Sequence, residues 1–134
     1  MHKAEYTFSQ KKVSCYFDAD FSAINELVKD ANIVIVTDEN IHDQHAEKLS
    51  AYPVIKFAAG EEFKNQKTVD DIIAQLIKLD AHKNTMLIGV GGGVVTDITG
   101  YVAAVYMRGI KFGLVPTSIL AMVDAAIGGK NGID

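Results

Sequence analysis

The chain has 134 residues, of which 49% are hydrophobic and 22% are charged, so it is long enough for one domain with a buried core and is not a disordered chain. Its net charge of −4 gives no indication of nucleic acid or an anionic membrane as a partner. No apolar run reaches the roughly 18 residues of a membrane helix, the first residues are too polar for a signal peptide, and Cys15 has no second cysteine to pair with. We therefore expect a soluble, cytoplasmic protein.

From residue 32 onward the hydrophobic pattern predicts strands that alternate with helices. In chain order the predicted elements are a hairpin of strands 4–8 and 13–17, a helix 21–28 capped by Asp20, a strand 32–37, a helix 41–49, a strand 52–57, a helix that begins at Thr68, a strand 85–90, a helix 94–106, a strand 111–115 and a helix 118–127. Such alternation builds a parallel sheet with right-handed crossovers. The predicted fold class is therefore α/β, with a doubly wound, mostly parallel sheet and a β-hairpin at the N-terminus.

The helix that begins at Thr68 has the clearest pattern. Thr68 is predicted to cap it, and Asp70 and Asp71 suit a first turn, where carboxylates interact well with the helix dipole. The apolar stripe of this helix consists of Val69, Ile72, Ile73, Leu76 and Ile77.

A glycine-rich turn, Gly91-Gly92-Gly93, joins the strand at 85–90 to the next helix. Without Cβ atoms, a phosphate or diphosphate can approach the first N–H groups of that helix, which predicts a nucleotide site. A turn that needs glycine for steric reasons alone is the alternative. Dinucleotide folds commonly carry such a turn after the first strand, whereas here it follows about the third strand of the alternating part. We therefore predict a Rossmann-like domain of unusual topology.

Polar side chains near strand ends are further ligand candidates. Asp38 and Asn40 follow a buried strand and could hold ribose or adenine, although Asp38 could equally cap the next helix. Asp97 could bind a hydroxyl or the positive nicotinamide, or only stabilise its helix dipole. Thr117 and Ser118 are candidate ligand donors or caps.

Other polar residues have a simpler explanation. Glu61 and Lys64 lie in a loop where solvated charges are the usual expectation. His42 and His45 are three residues apart on a helix and could bind a metal, but no third ligand lies nearby in the sequence, so we predict surface residues. Cys15 lacks a basic neighbour and is predicted to be a core residue.

Four sequence blocks, with the spacing between them, resemble the dehydroquinate synthase family. They are Gly91-Gly92-Gly93-Val94-Val95-Thr96-Asp97, Tyr106-Met107-Arg108-Gly109, Val115-Pro116-Thr117-Ser118 and Val123-Asp124-Ala125-Ala126-Ile127-Gly128-Gly129-Lys130. Residues 37–40 and 60–64 fit as well, so the resemblance covers about residues 32–134.

This resemblance implies that residues 1–134 are an N-terminal NAD-binding domain. A C-terminal helical domain would hold a catalytic zinc or cobalt ion through a Glu and two His beyond this chain. The implied enzyme is a lyase of the shikimate pathway for aromatic amino acid biosynthesis, which converts a seven-carbon sugar acid phosphate (DAHP) to dehydroquinate with loss of phosphate. The implied partners are this substrate and a second copy in a homodimer, and the chain alone is expected to be inactive. Another sugar phosphate cyclase, a glycerol-dehydrogenase-like polyol dehydrogenase and a non-catalytic nucleotide-binding fragment are the alternatives.

The resemblance also assigns binding residues, without a metal ligand or an established catalytic residue among them. NAD would contact Asp38 and Asn40 on its adenosine side, Glu61 and Lys64 on its ribose, Gly92, Gly93 and Val94 at its diphosphate, and also Glu62, Phe63, Asp97, Thr117, Ser118 and Lys130. Substrate would contact Arg108, Asp124 and Lys130, with Arg108 reaching the phosphate across a dimer interface. Three residues depart from the family pattern: Thr96 replaces a glycine, and Ser118 and Asn131 replace threonines.

Overall fold

The computed structural model describes residues 2–8, 11–17 and 32–116, and it begins with the predicted hairpin. Strands β1 (His2–Phe8) and β2 (Lys11–Phe17) are antiparallel, with Ala4 opposite Cys15. Outside the described residues lie the predicted helices 21–28 and 118–127 with Asp20, Thr117, Ser118, Asp124, Lys130 and Asn131.

A four-stranded parallel sheet forms the centre of the part that the structure describes. Its strands are β3 (Asn32–Asp38), β4 (Val54–Phe57), β5 (Thr85–Gly91) and β6 (Lys111–Pro116). The strand order is β4-β3-β5-β6, so β5 lies between β3 and β6. The glycine turn follows β5, the third strand of this sheet along the chain, which confirms the unusual topology.

Three helices connect these strands. They are α1 (Glu39–Leu49), α2 (Gln66–Lys78) and α3 (Gly93–Val105), with short 3₁₀ turns at Glu61–Phe63 and Tyr106–Arg108. None of these helices combines the length and apolar character needed to cross a bilayer.

Both faces of the sheet are covered, which confirms the doubly wound prediction. On one face Val34 and Val36 pack in a cluster with residues of α2 and α3, such as Ile72 and Ile98. On the other face Ile33, Ile35 and Ile88 pack with Leu49 of α1. Successive side chains of a strand point to opposite faces, so the continuous apolar run of β3 reflects burial on both sides.

The predicted start of α2 was wrong by three residues. Asn65 is the N-cap, and its Oδ1 accepts a hydrogen bond of 3.0 Å from the Thr68 backbone N–H. Thr68 is therefore inside the helix and buried, and Asp70 and Asp71 lie beyond the first turn. The apolar stripe is confirmed except at its end, where 62% of Ile77 is exposed.

Candidate functional site

The carboxyl ends of the parallel strands bring most of the described candidates to one edge of the sheet. Asp38 ends β3, Gly91 ends β5, and these two strands are direct neighbours. Phe57 ends β4 beside Asp38, and the segment that carries Glu61 and Lys64 follows it. Ligands in open α/β sheets bind at this edge, so the predicted grouping agrees with the topology.

The glycine turn leaves open space in front of α3. Gly92 is the N-cap of α3 with φ −84°, and no side chain caps this helix. A Cβ atom added at Gly92 or Gly93 would meet nothing within 4 Å, whereas one at Gly91 would lie 2.6 Å from the Val95 side chain. Gly91 also has φ +156°, so it is the glycine that the turn itself requires. Gly92 and Gly93 instead keep an uncapped helix N-terminus accessible, with Val94 half-buried behind them.

The helix that follows this turn contributes Asp97 to a buried ion pair. The Lys64 ammonium is 3.2 Å from Oδ2 of Asp97, and their side chains are only 11% and 4% exposed. The same ammonium is 3.5 Å from Oε1 of Glu61, whose side chain is 66% exposed. The prediction of a solvated loop therefore holds for Glu61 and is wrong for Lys64. Asp97 lies in the second turn of α3. A carboxylate near a diphosphate site needs a positively charged partner, and Lys64 is that partner for Asp97.

The segment before α2 also borders a cavity. Glu61 and Glu62 are exposed, and Phe63 is half-buried and packs against the core. An open cavity of about 500 Å³ lies beside this segment. Among its lining residues are Glu39, Phe57, Ala58, Glu62, Phe63 and Thr68. It could receive a flat, partly apolar group next to the strand ends.

Asp38 has the capping role that the sequence left open. Its Oδ1 accepts a hydrogen bond of 2.8 Å from the Ile41 backbone N–H at the start of α1. This bond fixes the carboxylate at the end of β3, and the neighbouring Asn40 is exposed. Capping does not exclude ligand binding, because a carboxylate has two oxygens and several acceptor positions.

The two histidines of α1 are half-buried rather than fully on the surface. His45 lies at a kink in α1 with φ −130°, and Nδ1 of His42 is buried without a hydrogen-bond partner in the described part of the chain. Within the residues that the structure describes, no three potential ligands of the His, Cys, Asp and Glu types come together as a metal site.

Arg108 lies at the opposite end of the sheet from the glycine turn. It precedes Lys111, the first residue of β6, which pairs with Met86 near the start of β5, whereas Gly91 pairs with Pro116 at the other end. At about 3.3 Å per residue, the ends of β5 are about 20 Å apart. The structure therefore does not bring Arg108 together with Gly92 or Lys64 within one chain.

A family comparison agrees with this architecture. The sequence profile described as 3-dehydroquinate synthase N-terminal matches residues 54–134, more than half of the chain. The chain belongs to this family.

Individual relatives of the 3-dehydroquinate synthase family align over most of the chain. Proteins named 3-dehydroquinate synthase from Acetivibrio thermocellus and Clostridium acetobutylicum are 37% and 40% identical to it. These alignments cover 100% and 83% of this chain but 41% and 33% of the relatives. The chain thus spans less than half the length of these 3-dehydroquinate synthases.

A solved structure supports the same fold. The 2-epi-5-epi-valiolone synthase from Streptomyces hygroscopicus, determined with NAD⁺ and Zn²⁺ bound, superposes with a TM-score of 0.73 at 28% identity. The match covers 84% of this chain and 34% of the valiolone synthase.

Sequence reasoning missed two features of this family member. The ion pair of Lys64 with Asp97 joins residues far apart in the chain, and no local pattern indicates it. The hydrogen bonds from the exposed Lys83 to the backbone of the turn around Arg108 were also missed, because they join segments 24 and 26 residues apart in the chain.

Proposed function

We propose that this chain is the NAD-binding domain of a dehydroquinate synthase. The proposed reaction converts a phosphorylated seven-carbon sugar acid to dehydroquinate with loss of phosphate, as a step of aromatic amino acid biosynthesis. The proposal extends family membership to the activity, the substrate and the cofactor. A metal-binding, mostly helical domain would complete the protein.

The observation that carries this proposal is the accessible turn at Gly92 and Gly93. It offers backbone N–H groups at the start of α3 without a side-chain cap and without a nearby atom that would oppose a ligand. These features fit the diphosphate of NAD, which prefers a helix N-terminus that the ligand can approach closely.

The remaining cofactor contacts are proposals drawn from the positions of the side chains. Asp38 and Asn40 are suited to the adenosine end, because they follow β3 at the binding edge of the sheet. Glu61 and Lys64 are suited to a ribose, since together they offer hydrogen-bond acceptors and a donor. Lys64 is held by Asp97, so its ammonium is fixed before a ligand arrives. Glu62, Phe63 and Val94 would contribute neighbouring surfaces. The proposed contacts of Thr117, Ser118, Asp124 and Lys130 rest on the family resemblance.

Arg108 is proposed to contact the substrate phosphate of a partner subunit in a homodimer. It is exposed, and its guanidinium is suited to bidentate binding of phosphate. Its position at the far end of the sheet from the glycine turn supports action in another subunit rather than in its own.

Bound NAD⁺ would supply a hydride acceptor for a ring alcohol, and return of the hydride after phosphate loss would make the overall reaction redox-neutral. The part of this chain is to bind and orient the cofactor and to fix charge around it. The described residues do not form a site for zinc or cobalt, so we derive no step through a metal. Its ligands are proposed to belong to another part of the protein.

Calorimetric titration of the full-length protein with NAD⁺ tests the cofactor site. We expect Gly92→Val to weaken binding by about tenfold or more, because its side chain would occupy the open space before α3. The fold should persist, since Gly92 has a φ that valine readily adopts. Ala74→Val adds similar bulk at an exposed position of α2 and serves as the control. Unchanged NAD⁺ affinity in a folded Gly92→Val variant would refute the diphosphate assignment.

A product assay separates the proposed reaction from a polyol dehydrogenase. With DAHP, NAD⁺ and a divalent metal, we expect the full-length protein to release phosphate without net accumulation of NADH. Accumulation of NADH with glycerol, in the absence of phosphate release from DAHP, would favour the dehydrogenase instead.

A further inference from the structure

The turn that carries Arg108 has a strained backbone. Met107 and Arg108 have φ values of +49° and +66°, and both are non-glycine residues. Such conformations are unfavourable for residues with a Cβ atom, and two in succession persist only where the surrounding structure holds them. Glycine would adopt them at less cost, so the presence of methionine and arginine here requires an explanation.

The loop before β5 holds this turn through three side-chain hydrogen bonds. The Lys83 ammonium donates to the carbonyl oxygens of Met107 at 2.9 Å and of Gly109 at 3.0 Å. The hydroxyl of Tyr106, which is buried, donates to the carbonyl oxygen of Ala81 at 2.8 Å. Lys83 therefore bonds to the backbone on both sides of Arg108.

This arrangement fixes the backbone of Arg108 while its side chain stays exposed. Backbone strain of this kind is concentrated at functional sites, where a side chain must be presented in one place. An arginine fixed in this way loses less conformational entropy when it binds an anion than one in a mobile loop. Support of the fold alone would not require an exposed guanidinium between the two bonded carbonyls.

We propose that Lys83 is a positioning residue, which acts through Arg108 on binding of the substrate phosphate. Lys83 does not contact the substrate in this proposal; it holds the Met107–Gly109 backbone, so that the Arg108 side chain starts from a fixed backbone position. The proposal rests on the function proposed above and adds a residue to it.

Steady-state kinetics of the full-length enzyme test this role. Lys83→Met keeps the length of the side chain but removes the donors, and Lys83→Arg retains donors. For Lys83→Met we expect the KM for DAHP and the inhibition constant of inorganic phosphate to rise about tenfold, with little change in kcat. NAD⁺ affinity should be unchanged, and Lys83→Arg should recover most of the loss. Lys48→Met removes a lysine from α1 and controls for the lost charge.

A double-variant cycle separates positioning from general support of the fold. If Lys83 acts through Arg108, adding Lys83→Met to Arg108→Gln should raise the KM no further. If the rises in KM from Lys83→Met and Arg108→Gln were additive in the double variant, the proposal would be overturned. An unchanged KM and phosphate inhibition constant in folded Lys83→Met would also overturn it. If Lys83→Met fails to fold, Lys83→Gln takes its place in the same cycle, with the same outcomes deciding.

The two proposals fail in different ways. Absence of phosphate release by the unmodified enzyme would refute the proposed function. Normal activity of that enzyme, together with an unchanged KM in the folded Lys83 variant, would refute only the positioning role.

Discussion

Lys64 and Asp97 illustrate how a single contact changes the interpretation of a residue. In the sequence Lys64 belongs to a charged loop, and Asp97 is a carboxylate near a helix start. In the structure they form a pair 3.2 Å apart that is almost entirely buried. Charges removed from water in this way depend on each other, because neither can recover its hydration while the fold remains intact.

Removing either side chain of the Lys64–Asp97 pair should therefore destabilise the fold. We expect Lys64→Met to lower the free energy of unfolding by about 3 kcal/mol, because it leaves the Asp97 carboxylate buried without its ammonium partner. Urea denaturation would measure this change.

Lys67 offers a matched control for that experiment. It pairs with Asp71 at 3.5 Å on the surface of α2, and their side chains are 87% and 61% exposed. Lys67→Met should cost less than about 0.5 kcal/mol, because water screens exposed pairs. If Lys64→Met and Lys67→Met lowered the free energy of unfolding equally, burial would not explain the cost of losing Lys64.

At the scale of an element, α2 shows which parts of a helix a sequence pattern predicts. Its apolar residues recur at helical spacing, so its existence and its buried face were predictable. Its first residue was not, because Asn65 and Thr68 are both good capping residues and the pattern does not choose between them. The Asn65 side chain bonds to Thr68, so the two candidates are the two partners of one cap.

The end of α2 has a Schellman motif without the usual glycine. The Ala81 N–H donates to the Leu76 carbonyl and the Asp80 N–H to the Ile77 carbonyl, each at 3.0 Å, and Asp80 has φ +56°. We expect Asp80→Gly to raise the free energy of unfolding by roughly 0.5–1 kcal/mol, because glycine adopts this conformation without a Cβ penalty. Thermal denaturation would detect the change.

Asp80→Asn is the control for charge at this position. It removes a negative charge near the C-terminal end of α2, where the helix dipole disfavours it, but keeps a Cβ atom in the same backbone conformation. We expect Asp80→Asn to raise the free energy of unfolding by less than Asp80→Gly does. If asparagine stabilises as much as glycine, the effect comes from charge rather than from backbone conformation.

At the scale of the whole molecule, strand direction separates two groups of candidate residues. Asp38, Gly92 and Lys64 lie near the carboxyl edge of the sheet, and Arg108 lies at the opposite edge. Parallel strands enforce this separation, because each connection must return the full length of the sheet before the next strand begins. The proposed site that uses both groups would therefore need a second subunit.

Complementation between two inactive variants tests this division. Co-expression of full-length Gly92→Val and Arg108→Gln should restore activity at about a quarter of the sites, since half of randomly formed dimers are mixed and each contains one intact site. At NAD⁺ and substrate concentrations that saturate only the unmodified enzyme, either variant alone should show low activity. Absence of restored activity, with mixed dimers demonstrated by affinity tags, would indicate that Arg108 acts within its own subunit.

The sequence by itself determined the fold class, the strands and helices of the described region and the location of the glycine turn. These features depend on local patterns: apolar runs for strands buried on both faces, helical spacing for α2 and consecutive glycines before α3. Positions at strand ends, together with family motifs, gave the candidate residues. Most of those that the structure describes lie at one edge of the sheet because parallel strands share that edge.

Only the tertiary structure decided which charges are buried, which glycine is sterically required and where Arg108 lies. The Lys64–Asp97 pair, the contact between the Gly91 position and Val95, and the hydrogen bonds from Lys83 all depend on how distant segments or successive turns pack. Burial and backbone strain arise from the surroundings that the whole fold creates, and the same residue types would be solvated in an isolated loop. For this reason a sequence pattern predicts the strands and helices of this protein. Which charges of the candidate site are buried, and where Arg108 lies, follow from the packed structure.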